Sequence, residues 1–77
     1  MLDDRFEAVL RSVAELPADL EITGEQDLRS ELGVDSLKLM DLIVNLEAEY
    51  SVELGDDVST DVGTVGELWR EVSRAVG

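Results

Sequence analysis

Ser36 is the residue whose type and setting could do chemistry, in the run Leu32-Gly33-Val34-Asp35-Ser36-Leu37. Gly33 permits a turn, and the apolar periodicity that follows puts the serine in the exposed first turn of a helix. Unpartnered backbone N–H groups and the positive end of the helix dipole gather there. A phosphodiester on the hydroxyl would be accommodated electrostatically. Ser and Asp before an apolar run are also ordinary helix caps, and the residues alone favour that plainer role. Nucleophilic catalysis is closed to this serine: the chain has no His and no Cys, so no imidazole can take its proton. The same absence excludes disulfides, thiolate nucleophiles and the usual zinc sites. No catalytic residue and no metal ligand is assigned.

Helices must position that serine, and four helical patterns can be read. The first begins near Asp3 or Asp4, carries Phe6, Val9, Leu10 and Val13 on one face, and is stopped by Leu16-Pro17. Residues 17 to 34 form a long connection with apolar anchors at Leu20, Ile22, Leu28 and Leu32 and turns at Gly24 and Gly33. Its length predicts a packed, functional loop, with a short helix around Gln26 to Glu31 allowed. The second helix runs from Asp35-Ser36 to about Tyr50, and a short third turn falls at Asp56 to Asp61. Thr64-Val65-Gly66-Glu67 has capping-box spacing and opens the last helix, whose apolar face is Val65, Leu68, Trp69, Val72 and Val76. No strand-period segment or internal repeat is found. The expected fold is all-α: a small four-helix bundle, three main helices plus a short third helix, with a long loop between the first two. Residues 1–77 read as a single domain.

The second helix has more apolar residues than one buried face requires. At about 100° per residue, Leu39, Leu42, Ile43, Leu46 and Tyr50 form one stripe. Leu37, Met40 and Val44 form another, roughly 140° around the axis. One stripe can face the core; the other is expected to be exposed beside Asp41, Glu47 and Glu49, as a protein-docking surface. Burial of both between neighbouring helices is the alternative. The second stripe starts beside Ser36, which burial alone does not explain.

The charge narrows the partners. Nineteen acidic residues against six basic ones leave a net charge of −13. That field repels phosphate backbones and anionic lipid, which argues against nucleic acid and membrane surfaces. It favours partners with basic docking patches, although an acidic surface also simply confers solubility. The segment Gly55-Asp56-Asp57-Val58-Ser59-Thr60-Asp61 is acidic but lacks the spacing of a calcium loop. No apolar run approaches transmembrane length and the first residues do not read as a signal peptide, so a cytosolic chain is expected.

Gly33-Val34-Asp35-Ser36-Leu37, followed by Met40-Asp41-Leu42 and Leu46-Glu47-Ala48-Glu49-Tyr50, resembles the acyl carrier protein family. The order of helices, the Val52-Glu53-Leu54 segment and the Thr-Val start of the last helix extend the resemblance over essentially the whole chain. It implies a carrier, not an enzyme, with Ser36 bearing a covalent 4'-phosphopantetheine arm drawn from coenzyme A and Asp35 and Leu37 as motif neighbours. It further implies partner docking through Leu37, Lys38, Met40, Asp41, Val44, Glu47 and Glu49. The implied partners are a phosphopantetheinyl transferase, an acyl- or aminoacyl-loading enzyme, and ketosynthase, condensation or acyltransferase-type enzymes. The carrier itself is expected to be a monomer, with no membrane insertion. Lys38 departs from the family, in which many fatty-acid carriers are acidic just after the motif. With the divergent segment Asp57 to Gly63, it inclines the reading to a bacterial polyketide or related specialised pathway. A fatty-acid carrier, an aminoacyl or peptidyl carrier, and an unmodified acidic interaction module are the alternatives.

Overall fold

The computed structural model describes residues 3–54 and 62–77. Among these residues three helices carry the fold: α1 (Asp4–Ala14), α2 (Ser36–Tyr50) and α3 (Val65–Val76). Among the described residues there is no strand, only an isolated bridge between Asp27 and Thr64. The turn expected at Asp56 to Asp61, with the acidic segment Gly55 to Asp61, lies outside the described residues. The short helix allowed around Gln26 to Glu31 is absent; turns stand in its place. The reason is local. Asp27 caps one turn, its carboxylate accepting from the Arg29 and Ser30 N–H groups at 2.9 Å and its carbonyl from those of Glu31 and Leu32. Gly33, with φ 70°, then turns the chain away before a second turn can form.

Each helix ends for a physical reason. Asp3 stands at the N-cap of α1 without a side-chain capping bond, while Asp4 and Glu7 put negative charge at its positive end. Glu15 takes a left-handed conformation (φ 56°), and its N–H and that of Leu16 both reach back to the Arg11 carbonyl. Ser51 (φ 55°) closes α2 in the same way on the Glu47 carbonyl. α1 therefore ends two residues before the Leu16-Pro17 stop. α3 starts with a complete capping box between Thr64 and Glu67, as its spacing predicted.

One core joins the three helices and the long connection. Phe6, Leu10 and Ala14 of α1 meet Leu39, Leu42 and Leu46 of α2 and Val65, Leu68 and Val72 of α3. Burial of a side chain such as Leu42, which has no exposure, stabilises the fold by about 1.5–3 kcal/mol. Trp69 is half-buried and stacks at tilted angles on Phe6 (5.1 Å) and Tyr50 (6.4 Å), so a three-ring cluster ties the helices together. Val76, placed on the apolar face of the last helix by spacing, is 54% exposed, because the core ends before the last turn of α3.

The long connection packs as expected, and it does so against α3. Ile22, Leu28 and Leu32 enter the core, Leu20 is half-buried, and Val34, which periodicity does not single out, is buried as well. Four backbone hydrogen bonds pin this segment: Leu28 to Gly63, Val65 to Gln26, Gly66 to Gly24 and Val34 to Leu28. Arg11 adds a clamp from α1, donating to the Leu20 carbonyl at 2.8 Å. The loop that leads to Ser36 is thus held from both ends.

Candidate functional site

α2 begins at the site, and its first residues divide the labour. Asp35 is the N-cap: its carboxylate accepts from the Lys38 backbone N–H at 2.8 Å. Gly33, with φ 70°, makes the turn that lets the chain enter α2. Ser36 is therefore the first helical residue, not the cap, and its hydroxyl is not spent on the backbone. The plain capping role falls to Asp35. The serine is exposed, and its Oγ accepts one long hydrogen bond, from Arg29 Nη2 at 3.4 Å.

The electrostatics around Ser36 differ from those at the other helix starts. α1 and α3 both carry acids in the first turn, and α2 carries none. The one acid at this helix start is the cap itself, Asp35, and the Arg29 guanidinium is the cation that reaches the serine. An exposed hydroxyl at a helix start, within reach of a guanidinium, fits the phosphodiester end of a phosphopantetheine arm.

The second stripe of α2 is on the surface. Leu37 is 76% exposed, Met40 59% and Val44 61%, while Leu39, Leu42 and Leu46 are buried. The charged residues expected around it do not all stand there. Asp41 is exposed on the stripe's edge, and its carboxylate has no partner among the described residues. Glu47 instead turns to the end of α2, where it accepts from the Leu54 backbone N–H at 2.7 Å. Glu49 faces α1 and pairs with Arg5 at 3.0 Å. Lys38 also leans to that side, with its Nζ 3.3 Å from a Glu15 carboxylate oxygen. Helical geometry explains the split, since Lys38 and Glu49 lie on the flank of α2 roughly 140° from the middle of the stripe. Of the charged residues assigned to docking, Asp41 alone keeps a free carboxylate beside the apolar surface.

Arg29 was not among the residues the sequence pointed to. It sits in the connection, seven positions before Ser36, with no periodicity to link the two. Its backbone is fixed by Asp27, whose carboxyl is held below the ordinary carboxylate range by the Ser30 and Arg29 N–H bonds. Among the described residues, no group of three or more His, Cys, Asp or Glu is arranged to hold a metal ion.

Residues 4–72 match the family model described as the phosphopantetheine attachment site, a span that includes Ser36 and nearly the whole fold. The chain belongs to the acyl carrier protein family. An acyl carrier protein of Saccharopolyspora erythraea is 38% identical over 65 residues, covering 84% of this chain and 67% of that one. One from Trieres chinensis is 34% identical over 71 residues, covering 88% of each. A solved structure described as an acyl carrier protein from Mycobacterium tuberculosis superposes with a TM-score of 0.81, at 32% identity and 90% coverage of both chains. As a member of this family the chain is a carrier and not an enzyme, and its cofactor is covalent 4'-phosphopantetheine. Membership also implies encounters with a phosphopantetheinyl transferase and with acyl-handling enzymes. No helix among the described residues is long and apolar enough to cross a membrane.

Proposed function

We propose that Ser36 bears the phosphopantetheine arm and that this carrier, a single cytoplasmic domain acting as a monomer, passes acyl thioesters between enzymes of a bacterial polyketide or related specialised pathway. One observation carries the attachment site: Asp35 caps α2, which leaves Ser36 Oγ exposed and unbonded to the backbone. In the transferase, Ser36 Oγ gives up its proton and bonds to the β-phosphorus of coenzyme A as the bond to the adenosine bisphosphate portion breaks. Once attached, the arm supplies a terminal thiol that holds acyl groups as thioesters. Tethering then replaces chance encounter by a high local concentration of cargo at the partner's active site.

The chain's own contribution is orientation and docking. Leu37, Met40 and Val44 offer an apolar strip that starts at the arm's root, with Asp41 as its acidic contact for a basic patch. Ketosynthase, acyltransferase and loading enzymes are the partners this surface suits. The relatives named above are all described as acyl carriers, which supports acyl over aminoacyl cargo. Lys38 supports a specialised pathway, since it puts a cation just after the motif; its pairing with Glu15 draws that charge partly away.

Incubation with coenzyme A, Mg²⁺ and a promiscuous phosphopantetheinyl transferase, read by intact mass, tests the attachment. The expected result is one arm added to the wild-type chain and none to Ser36→Ala. No gain in the wild type, or a gain that survives Ser36→Ala, would overturn it. Offering the loaded carrier side by side to a polyketide and a fatty-acid ketosynthase tests the pathway, with faster transfer to the first expected.

A further inference from the structure

We propose that Arg29 is a positioning residue for the arm: its guanidinium, now bonded to Ser36 Oγ, grips the phosphodiester once the serine is modified. The inference rests on Ser36 as the attachment point and adds a residue in a different segment of the chain.

Geometry comes first. Arg29 Nη2 lies 3.4 Å from Ser36 Oγ, long for a neutral acceptor but one short side-chain adjustment from an oxygen attached there. The side chain is exposed, yet its root is not loose. Asp27 receives the Arg29 and Ser30 N–H groups, and Glu31 Oε1 accepts from the Asp27 N–H at 3.1 Å. Next to Arg29 in sequence, Leu28 is almost fully buried, and its N–H is bonded to Gly63 at 2.9 Å. The guanidinium is therefore offered to Ser36 from a fixed base.

Chemistry supplies the preference. Modification replaces the hydroxyl by an ester oxygen, a poorer acceptor, and adds two non-bridging oxygens that share one negative charge beside it. A guanidinium carries a planar fork of donors that suits two such oxygens, and charge-assisted bonds of this type are shorter and stronger than the bond to a hydroxyl.

Charge gives it a purpose. The chain already carries −13, and the phosphodiester adds one more negative charge. Arg5, Arg11, Lys38 and Arg74, four of the six cations, are paired with carboxylates. Lys38, the other cation near the serine, is drawn toward Glu15. Among the described residues no carboxylate pairs with the Arg29 guanidinium, and the Asp27 oxygen nearest its backbone is occupied by N–H groups. Arg29 is placed to neutralise the new charge and to restrict the first bonds of the arm while its thiol end stays free.

The test uses the full chain, ¹⁵N-labelled, before and after loading with coenzyme A and the transferase, with intact mass read first. In the wild type the Arg29 Nε–H resonance is expected to move on loading, a measurement that needs no variant. The ³¹P resonance of the loaded arm is then compared among wild type, Arg29→Gln, Arg29→Lys and the remote control Arg74→Gln. Arg29→Gln should shift the ³¹P line and lower the melting temperature of the loaded form more than that of the unloaded form. Arg29→Lys, which keeps the charge without the fork, should fall between, and it carries the comparison if Arg29→Gln is not modified. Arg74→Gln should leave both readings at wild-type values. A static Arg29 Nε–H signal on loading, or a ³¹P line equally insensitive to both Gln variants, would overturn the role of Arg29 and leave the attachment site standing. No mass gain in the wild type would remove both.

Discussion

Ser36, Arg29 and Tyr50 show how much a side chain's neighbours decide about it. Ser36 owes its free hydroxyl to Asp35, whose carboxylate takes the capping bond the serine could otherwise have made. Tyr50, the only tyrosine in the chain, lies between Trp69 and the start of α1. Its phenol is pushed up from 10.0 to about 12, first by burial and then by its hydrogen bond to Asp3, 2.7 Å away. Because the folded state holds this proton more tightly than the unfolded chain, the associated stability is present below pH 10 and is lost as pH rises through about 12. An ultraviolet titration should therefore find the single tyrosine ionising near 12, with unfolding setting in over the same interval. Asp3→Ala should bring the midpoint only part of the way back, since burial remains. A midpoint at 10.0 in the wild type would rule this out.

At the level of elements, the junction between the long connection and α3 carries the geometry of the site. The Gly66 N–H donates to the Gly24 carbonyl at 2.9 Å, and a Cβ on Gly66 would lie 2.9 Å from that same backbone oxygen. Glycine inside a helix normally costs about 1 kcal/mol relative to alanine. Here the order should invert. Gly66→Ala is expected to destabilise the protein by about 1–3 kcal/mol in urea unfolding, because the backbone contact must open. It should also loosen residues 24–28, which precede Arg29. An alanine variant more stable than the wild type would show that the approach is not needed. Spacing alone revealed the three main helices and the capping box, for these are properties of neighbouring residues. The short helix allowed at 26–31 is a single capped turn instead, because Gly33 turns the chain away before a second one, a limit that apolar spacing does not show.

For the whole molecule, charge and size set the balance. A chain of 77 residues with net charge −13 folds against its own repulsion. Added salt or divalent cations should screen that repulsion and raise the melting temperature. The ion pairs among the described residues would weaken slightly under the same conditions, but the three exposed ones contribute little, about 0–1 kcal/mol each, so the net effect should be stabilising. A melting temperature indifferent to salt would show that repulsion is a minor term. The core resists it by drawing on the connection as well as the helices, with Leu28 and Val34 buried as fully as the helices' own leucines.

Sequence by itself determined the helices, the serine at the head of α2 and the two apolar stripes, because periodicity and caps act over three or four residues. It also carried the family, since the motif and the order of elements are linear. Tertiary structure decided which groups were already committed. Glu47, Glu49 and Lys38 looked like free docking charges until the end of α2, Arg5 and Glu15 were found to hold them. The guanidinium of Arg29 reaches Ser36 only because the connection folds back over α3. Contacts between segments distant along the chain leave no local pattern, so those assignments had to wait for the fold.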